Sequence, residues 1–232
     1  RLHRLVWEAA DLDPREALLA ALERWPMEAA ERIGLLRPWL GHPDWTSRYQ
    51  AYLALRKLDP ATPWPTAPQP NAREKALLAL ATRLAEAGKP VRLRFSFDGG
   101  RTLTLRLDPT LAPINVANLV TLVRKGFYNG RRIGRVVPDF VVQLGSPYDT
   151  LDGGPGHSVR CENSPTWYGA GSVGMALSGK DTGGSQFFIT TQAHPILDGK
   201  YTWMGTVEDP ERALPLLDAL ALETCILKVE VR

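Results

Sequence analysis

Ser185-Gln186-Phe187-Phe188-Ile189-Thr190 follows Gly179-Lys180-Asp181-Thr182-Gly183-Gly184, so a glycine-rich loop feeds an aromatic, β-prone segment. Phe, Ile and Thr fit a pleated, half-buried surface, and the run reads as a short strand. Gln186 just before two phenylalanines is expected to point one polar side chain into a mostly apolar pocket. Such a pocket binds an apolar group and orients it with a few polar ones. Arg135-Val136-Val137-Pro138-Asp139-Phe140-Val141-Val142-Gln143-Leu144-Gly145 has matching character. At period 2, Val141 and Gln143 share one face of a strand.

Upstream, Val91, Leu93, Phe95 and Phe97 alternate with Arg92, Arg94 and Ser96. Asp98-Gly99-Gly100 then turns the chain, and Leu103, Leu105 and Leu107 alternate on the return, which predicts a hairpin with one buried face. Pro113 to Lys125 has the spacing of an amphipathic helix stopped by Gly126. Short strands and glycine-rich loops follow, then a helix near 210–219 and a last strand from Ile226 to Val231. Many short strands with few helices predict a closed antiparallel β-barrel with helices at its ends.

Residues 1–58 have a different period. Leu5, Ala9 and Leu12 begin a helical pattern, and Asp13-Pro14 reads as an N-cap with proline at the first helical position. Leu18, Leu22 and Trp25 recur at helical spacing up to Pro26. Met27 to Leu40 gives another helix, stopped by Gly41, and His42-Pro43-Asp44 opens a further one. The two proline-marked starts lie about 30 residues apart, as in helix-pair repeats. Five of the seven tryptophans fall in residues 1–64; they form either a partner-binding groove or the core of a small helical domain. Asp59 to Pro70 carries five prolines and reads as a semi-rigid linker. Asn71 is placed to cap a helix from Ala72 to Ala87, ended by Gly88, which is either a last repeat element or a brace for the next domain.

The motifs of the C-terminal part together resemble the cyclophilin family of peptidyl-prolyl cis/trans isomerases. They are Phe127-Tyr128-Asn129-Gly130, Arg135 to Gln143, Gly174-Met175-Ala176, Ser185 to Thr190 and Leu197-Asp198-Gly199-Lys200-Tyr201. The resemblance covers about residues 90–232 and implies an eight-stranded barrel with capping helices. Pro43-Asp44, Arg48, Ala51 and Ala54-Leu55 resemble a HEAT repeat. The expected organisation is multidomain: a HEAT-like helical segment at 1–58, a proline-rich linker and connecting helix at 59–89, and the isomerase domain at 90–232.

The resemblance implies acceleration of X–Pro bond rotation in polypeptide clients, as a folding helper, with no cofactor and no metal. By position, Arg135 matches the family's catalytic arginine and Gln143 the glutamine that holds it. Phe140, Val141, Phe188 and Leu197 match the proline pocket, with Tyr201 at its rim and Ile196 beside Leu197. Ala176, Leu177, Ser178 and Gln186 match the shelf along which the peptide backbone lies. This chain departs from the pattern at Gly134, where the family usually has histidine, at Leu177 for asparagine, at Leu144 for glycine and at Ser146 for a common aspartate. Ile196 stands where eukaryotic members have a drug-contacting tryptophan, so cyclosporin binding is expected to be weak. The alternative is a non-catalytic proline-peptide binding or scaffold module, with a protein partner docking through residues 1–58.

The 232 residues carry a net charge of +3, with 44% hydrophobic and 23% charged residues. No dense Lys/Arg block marks a nucleic-acid footprint, and no apolar run reaches the roughly 18 residues of a membrane span. The first residue is Arg rather than Met, so the N-terminus is expected to be processed or truncated, leaving a cytoplasmic or an exported protein open. Cys161 and Cys225 are either a disulfide or two free thiols. Gly169 to Gly174 matches G-x-G-x-x-G, but no helix pattern follows it, so a dinucleotide site is not expected.

Overall fold

The computed structural model describes residues 6–7, 12–66 and 69–232. Two compact units separate: one from residues up to Pro70 with Pro155–Ser158, the other from Asn71–Gly154 with Val159–Arg232.

The first unit is helical. Helix α1 (Leu12–Arg24) includes Asp13, the expected cap, within the helix; Leu5 and Ala9 lie outside the described residues. The helix expected over 27–40 is divided into α2 (Ala29–Leu36) and a 3₁₀ turn (Arg37–Gly41). Pro38 explains the division, since it has no N–H to donate and its ring clashes with the carbonyl four residues back. Helix α3 (Trp45–Leu58) starts as the sequence indicates, with the Asp44 carboxylate accepting from the Ser47 N–H at 2.9 Å. Leu19, Leu22, Leu36, Trp39, Ala51, Ala54 and Leu55 form the core. The tryptophans differ in exposure. Trp39 is fully buried, whereas Trp25 and Trp64 are largely exposed; the Trp64 ring lies 4.9 Å from Tyr52 and 5.7 Å from Trp45.

The second unit is a closed eight-stranded antiparallel barrel. Its strands are β1 (Val91–Phe97), β2 (Thr102–Leu107), β3 (Ile133–Val137), β4 (Val141–Leu144), β5 (Ser172–Met175), β6 (Phe187–Thr190), β7 (Trp203–Val207) and β8 (Ile226–Val231), in the order β3-β4-β6-β5-β7-β2-β1-β8. The ends of that order meet through the Arg132–Cys225 bridge, with Ile226 N–H donating to the Arg131 carbonyl at 2.7 Å. Closure leaves no free edge.

Alternation assigns the two faces. Leu93, Phe95, Leu105, Val142, Leu144, Val173, Met175, Phe187 and Ile189 fill the barrel. Helix α4 (Ala72–Ala87) has the capping box of Asn71 and Glu74 and a left-handed Gly88 at its end. Its Leu77, Leu80 and Leu84 pack against the barrel core. Helix α5 (Pro113–Arg124) is buried on nearly every side rather than amphipathic; Val116, Leu119, Val120 and Val123 join the core, and Asn118 donates to the Gly184 carbonyl at 2.7 Å. Helix α6 (Pro210–Asp218) precedes β8. Both cysteines are free thiols. Cys161 accepts the Asp181 N–H through Sγ at 3.2 Å, and burial pushes its pKa up. No helix among the described residues is long and apolar enough to cross a membrane.

Candidate active site

One row of residues crosses four strands on the outer face. Arg135 pairs with Gln143, Gln143 with Phe188, and Phe188 with Gly174. The inward positions alternate with these, so Val141 and Gln143 do share the face that the period indicates. Gly174, part of the apparent dinucleotide motif, lies in β5 and serves packing instead. A Cβ there would overlap the Phe188 ring and come 2.6 Å from the Tyr168 hydroxyl. Its absence lets the ring lie flat across the strand.

The row opens into a cavity of about 120 Å³ lined by Arg135, Phe140, Val141, Gln143, Ala176, Leu177, Phe188, Leu197 and Tyr201. That is well below the roughly 300–1,000 Å³ of a pocket for a drug-sized ligand, and it suits a single small ring. Val141, Phe188 and Leu197 form a buried cluster with Tyr168, and Phe140, Ala176, Tyr201 and Trp203 pack against it. Phe140 follows Asp139, whose φ of 57° turns the chain between β3 and β4. Tyr201 meets Phe188 edge to face at 5.5 Å.

The polar side of the cavity consists of Arg135 and Gln143. Arg135 is partly buried, and its guanidinium has no hydrogen bond or ion pair among the described residues. Gln143 stands opposite it in the register, but its Nε2 donates to Gln186 Oε1 at 3.0 Å rather than supporting the arginine. Ser178, Gln186 and Ile196 do not line the cavity. Ser178 is exposed and its N–H donates to Thr182. Ile196 is exposed in the 3₁₀ turn beside Leu197. Gln186 points its amide at the loop 151–153, not into the apolar pocket.

Two contributors escape sequence reasoning. Tyr168 stacks under Phe188 at 5.6 Å, fully buried, with a hydroxyl that has no hydrogen-bond partner among the described residues; burial raises its pKa. Trp203 packs beside it. Neither stands in a motif stretch, and no local pattern marks them. The described residues contain no cluster of His, Cys, Asp or Glu suited to a metal ion.

This geometry agrees with the comparisons. The family model described as cyclophilin type peptidyl-prolyl cis-trans isomerase/CLD matches residues 92–225. A peptidyl-prolyl cis-trans isomerase of Helicobacter pylori is 47% identical over 111 residues, which are 47% of this chain and 68% of the relative. Peptidyl-prolyl cis-trans isomerase B of Bacillus subtilis is 44% identical over 115 residues, 49% of this chain and 80% of the relative. A solved Cryptosporidium parvum cyclophilin type peptidyl-prolyl cis-trans isomerase superposes with a TM-score of 0.57 at 26% identity, covering 62% of this chain and 98% of that one. The same protein, solved in the presence of the dipeptide Ala-Pro, gives a TM-score of 0.56. The chain belongs to the cyclophilin-type peptidyl-prolyl cis-trans isomerases and is an enzyme of that class.

Proposed function

We propose that the enzyme speeds X–Pro rotation by donating a hydrogen bond from Arg135 to the prolyl nitrogen of the twisted transition state. Rotation faces a barrier of roughly 18–20 kcal/mol, because it breaks amide resonance. As resonance is lost, the nitrogen becomes pyramidal and gains a lone pair that neither planar isomer has. A donor aimed there binds the transition state better than either ground state, and only such differential binding raises kcat. Arginine suits this role because it stays protonated and carries a rigid fork of donors. No nucleophile or proton transfer is needed.

The observation that carries the reading is the unpaired, half-buried Arg135 guanidinium facing a cavity whose other walls are mostly apolar. Phe140, Val141, Phe188 and Leu197 would hold the proline ring, with Tyr201 at the rim. Gln143 keeps one amide proton and its oxygen without a partner among the described residues, available to a peptide group beside the proline. Substrates on this reading are X–Pro bonds in exposed polypeptide, which makes the protein a folding helper. The helical unit, HEAT-like by sequence, offers exposed Trp25, Tyr49 and Trp64 to a protein partner.

The test is isomerisation of a short peptide with one X–Pro bond by wild type and Arg135→Ala. Removing a transition-state donor should lower kcat about 10²–10³-fold with the fold intact. Wild-type turnover that survives the substitution would reject Arg135 as the donor. Peptide binding without turnover by wild type would favour the non-catalytic binding module.

A further inference from the structure

Gln186 uses both of its amide protons away from the cavity. Nε2 donates to the carbonyls of Leu151 at 2.9 Å and Gly153 at 3.0 Å, with that of Asp152 at 3.5 Å, while Oε1 accepts from Gln143. Three carbonyls at one end of the amide fix that end as the donor, because a carbonyl oxygen only accepts. The segment 146–153 held in this way is tied elsewhere as well. Ser146 Oγ donates to the Asp152 carbonyl at 2.7 Å, the Arg132 N–H donates to Asp149 at 2.9 Å, and the Arg131 guanidinium donates to the Pro147 carbonyl at 2.5 Å.

The braced loop meets the backbone next to Arg135. Between β3 and β4 the register slips at Gly134, leaving it as the extra residue of a bulge between Ile133 and Arg135. Bulges bend a strand and re-aim the side chain that follows. The Thr150 carbonyl packs against this bulge so closely that a Cβ on Gly134 would lie 2.6 Å from its oxygen. Gln186, the loop and the bulge therefore form one chain of contacts ending at Arg135.

We propose that Gln186 is a positioning residue for the isomerase reaction: through the 150–153 segment it fixes the bulged backbone at Gly134, and with it the direction of the Arg135 guanidinium. The inference rests on Arg135 being the transition-state donor. The apolar cavity holds the proline ring in ground and transition states alike, whereas the donor acts only in the latter. Loosening the brace should therefore lower kcat and leave KM unchanged. Gly134→Ala disturbs the same loop from its other side.

The experiment measures kcat and KM on a peptide with one alanyl-proline bond for wild type, Gln186→Met, Gly134→Ala and the double variant, with Arg135→Ala as reference. Each single variant should lose kcat about ten- to a hundredfold, the order that an ångström of misplacement costs. The double should be no slower than the poorer single, because both act through one element. A raised KM with kcat retained in Gln186→Met, or losses that multiply in the double, overturns the inference and returns Gln186 to direct substrate contact. An Arg135→Ala enzyme as fast as wild type instead removes the donor itself, so the two failures are distinguishable. Should Gln186→Met not fold, isosteric Gln186→Glu carries the test. Its carboxylate repels the loop carbonyls and regains a donor on protonation, so its kcat relative to wild type should climb as pH falls; a flat ratio overturns the inference.

Discussion

Substituting Glu162 tests how the barrel holds its most buried helix. The Glu162 carboxylate accepts the Ile114 N–H at 3.0 Å, the Asn115 N–H at 2.8 Å and the Asn115 side-chain amide at 2.6 Å. It thereby closes the N-terminus of α5, whose own cap position, Ala112, has no side-chain acceptor. Hydrogen bonds to a charged group contribute about 1.5–3 kcal/mol, a helix cap about 0.5–2 kcal/mol and a charge at the helix end about 0.3–1 kcal/mol. These figures describe overlapping parts of one interaction, so Glu162→Ala should cost about 2–3 kcal/mol rather than their sum. A domain of this size loses about 2–4 °C per kcal/mol, which puts the fall in Tm at about 4–12 °C. Thermal unfolding followed by circular dichroism reads this directly. Activity measured well below the transition should be retained, because Glu162 does not line the cavity. A fall of less than about 1 °C would refute the capping argument. A full loss in Glu162→Ala with none in Glu162→Gln would show that the carboxylate charge contributes nothing.

Two further outcomes follow from the side chains. His42 is buried between Trp7 and Trp39, with Nδ1 accepting the Asp44 N–H at 3.0 Å and Nε2 at 3.2 Å from the Trp7 carbonyl. Burial, with help from Arg15, lowers its pKa from 6.5, against the opposing pull of the Trp7 carbonyl and Asp44. The unfolded chain then takes up the proton first as pH falls, so the helical unit should be most stable above about pH 6.5 and lose stability progressively below it. Urea midpoints read by tryptophan fluorescence should drop from about pH 7.5 to about pH 5.5, and His42→Gln should flatten that dependence. Ile196 is 67% exposed beside the cavity residue Leu197; cyclosporin should inhibit the wild type weakly, and Ile196→Trp should strengthen inhibition in the same peptide assay.

Much of the framework is local and was therefore legible in the chain. The alternation of Val91 to Phe97 and Leu103 to Leu107 gives the β1–β2 hairpin because strand side chains change face at every residue. Asp44, Asn71 and Gly88 mark helix ends because the groups they satisfy lie within a few residues. The motif stretches also name the cavity, since Arg135, Phe140, Val141 and Gln143 sit on one hairpin and Phe188 on the strand beside it. What only the tertiary structure decided depends on partners far apart in sequence. Glu162 caps a helix 47 residues upstream. Gln186, read as a pocket residue from its phenylalanine neighbours, turns to carbonyls 33 and 35 residues away. Tyr168 becomes the support beneath Phe188, and Gly174, one glycine of an apparent nucleotide motif, becomes the space in which that ring lies. Period and capping are properties of neighbours along the chain, whereas the direction of a buried amide or ring is set by whichever distant groups the closed barrel brings against it.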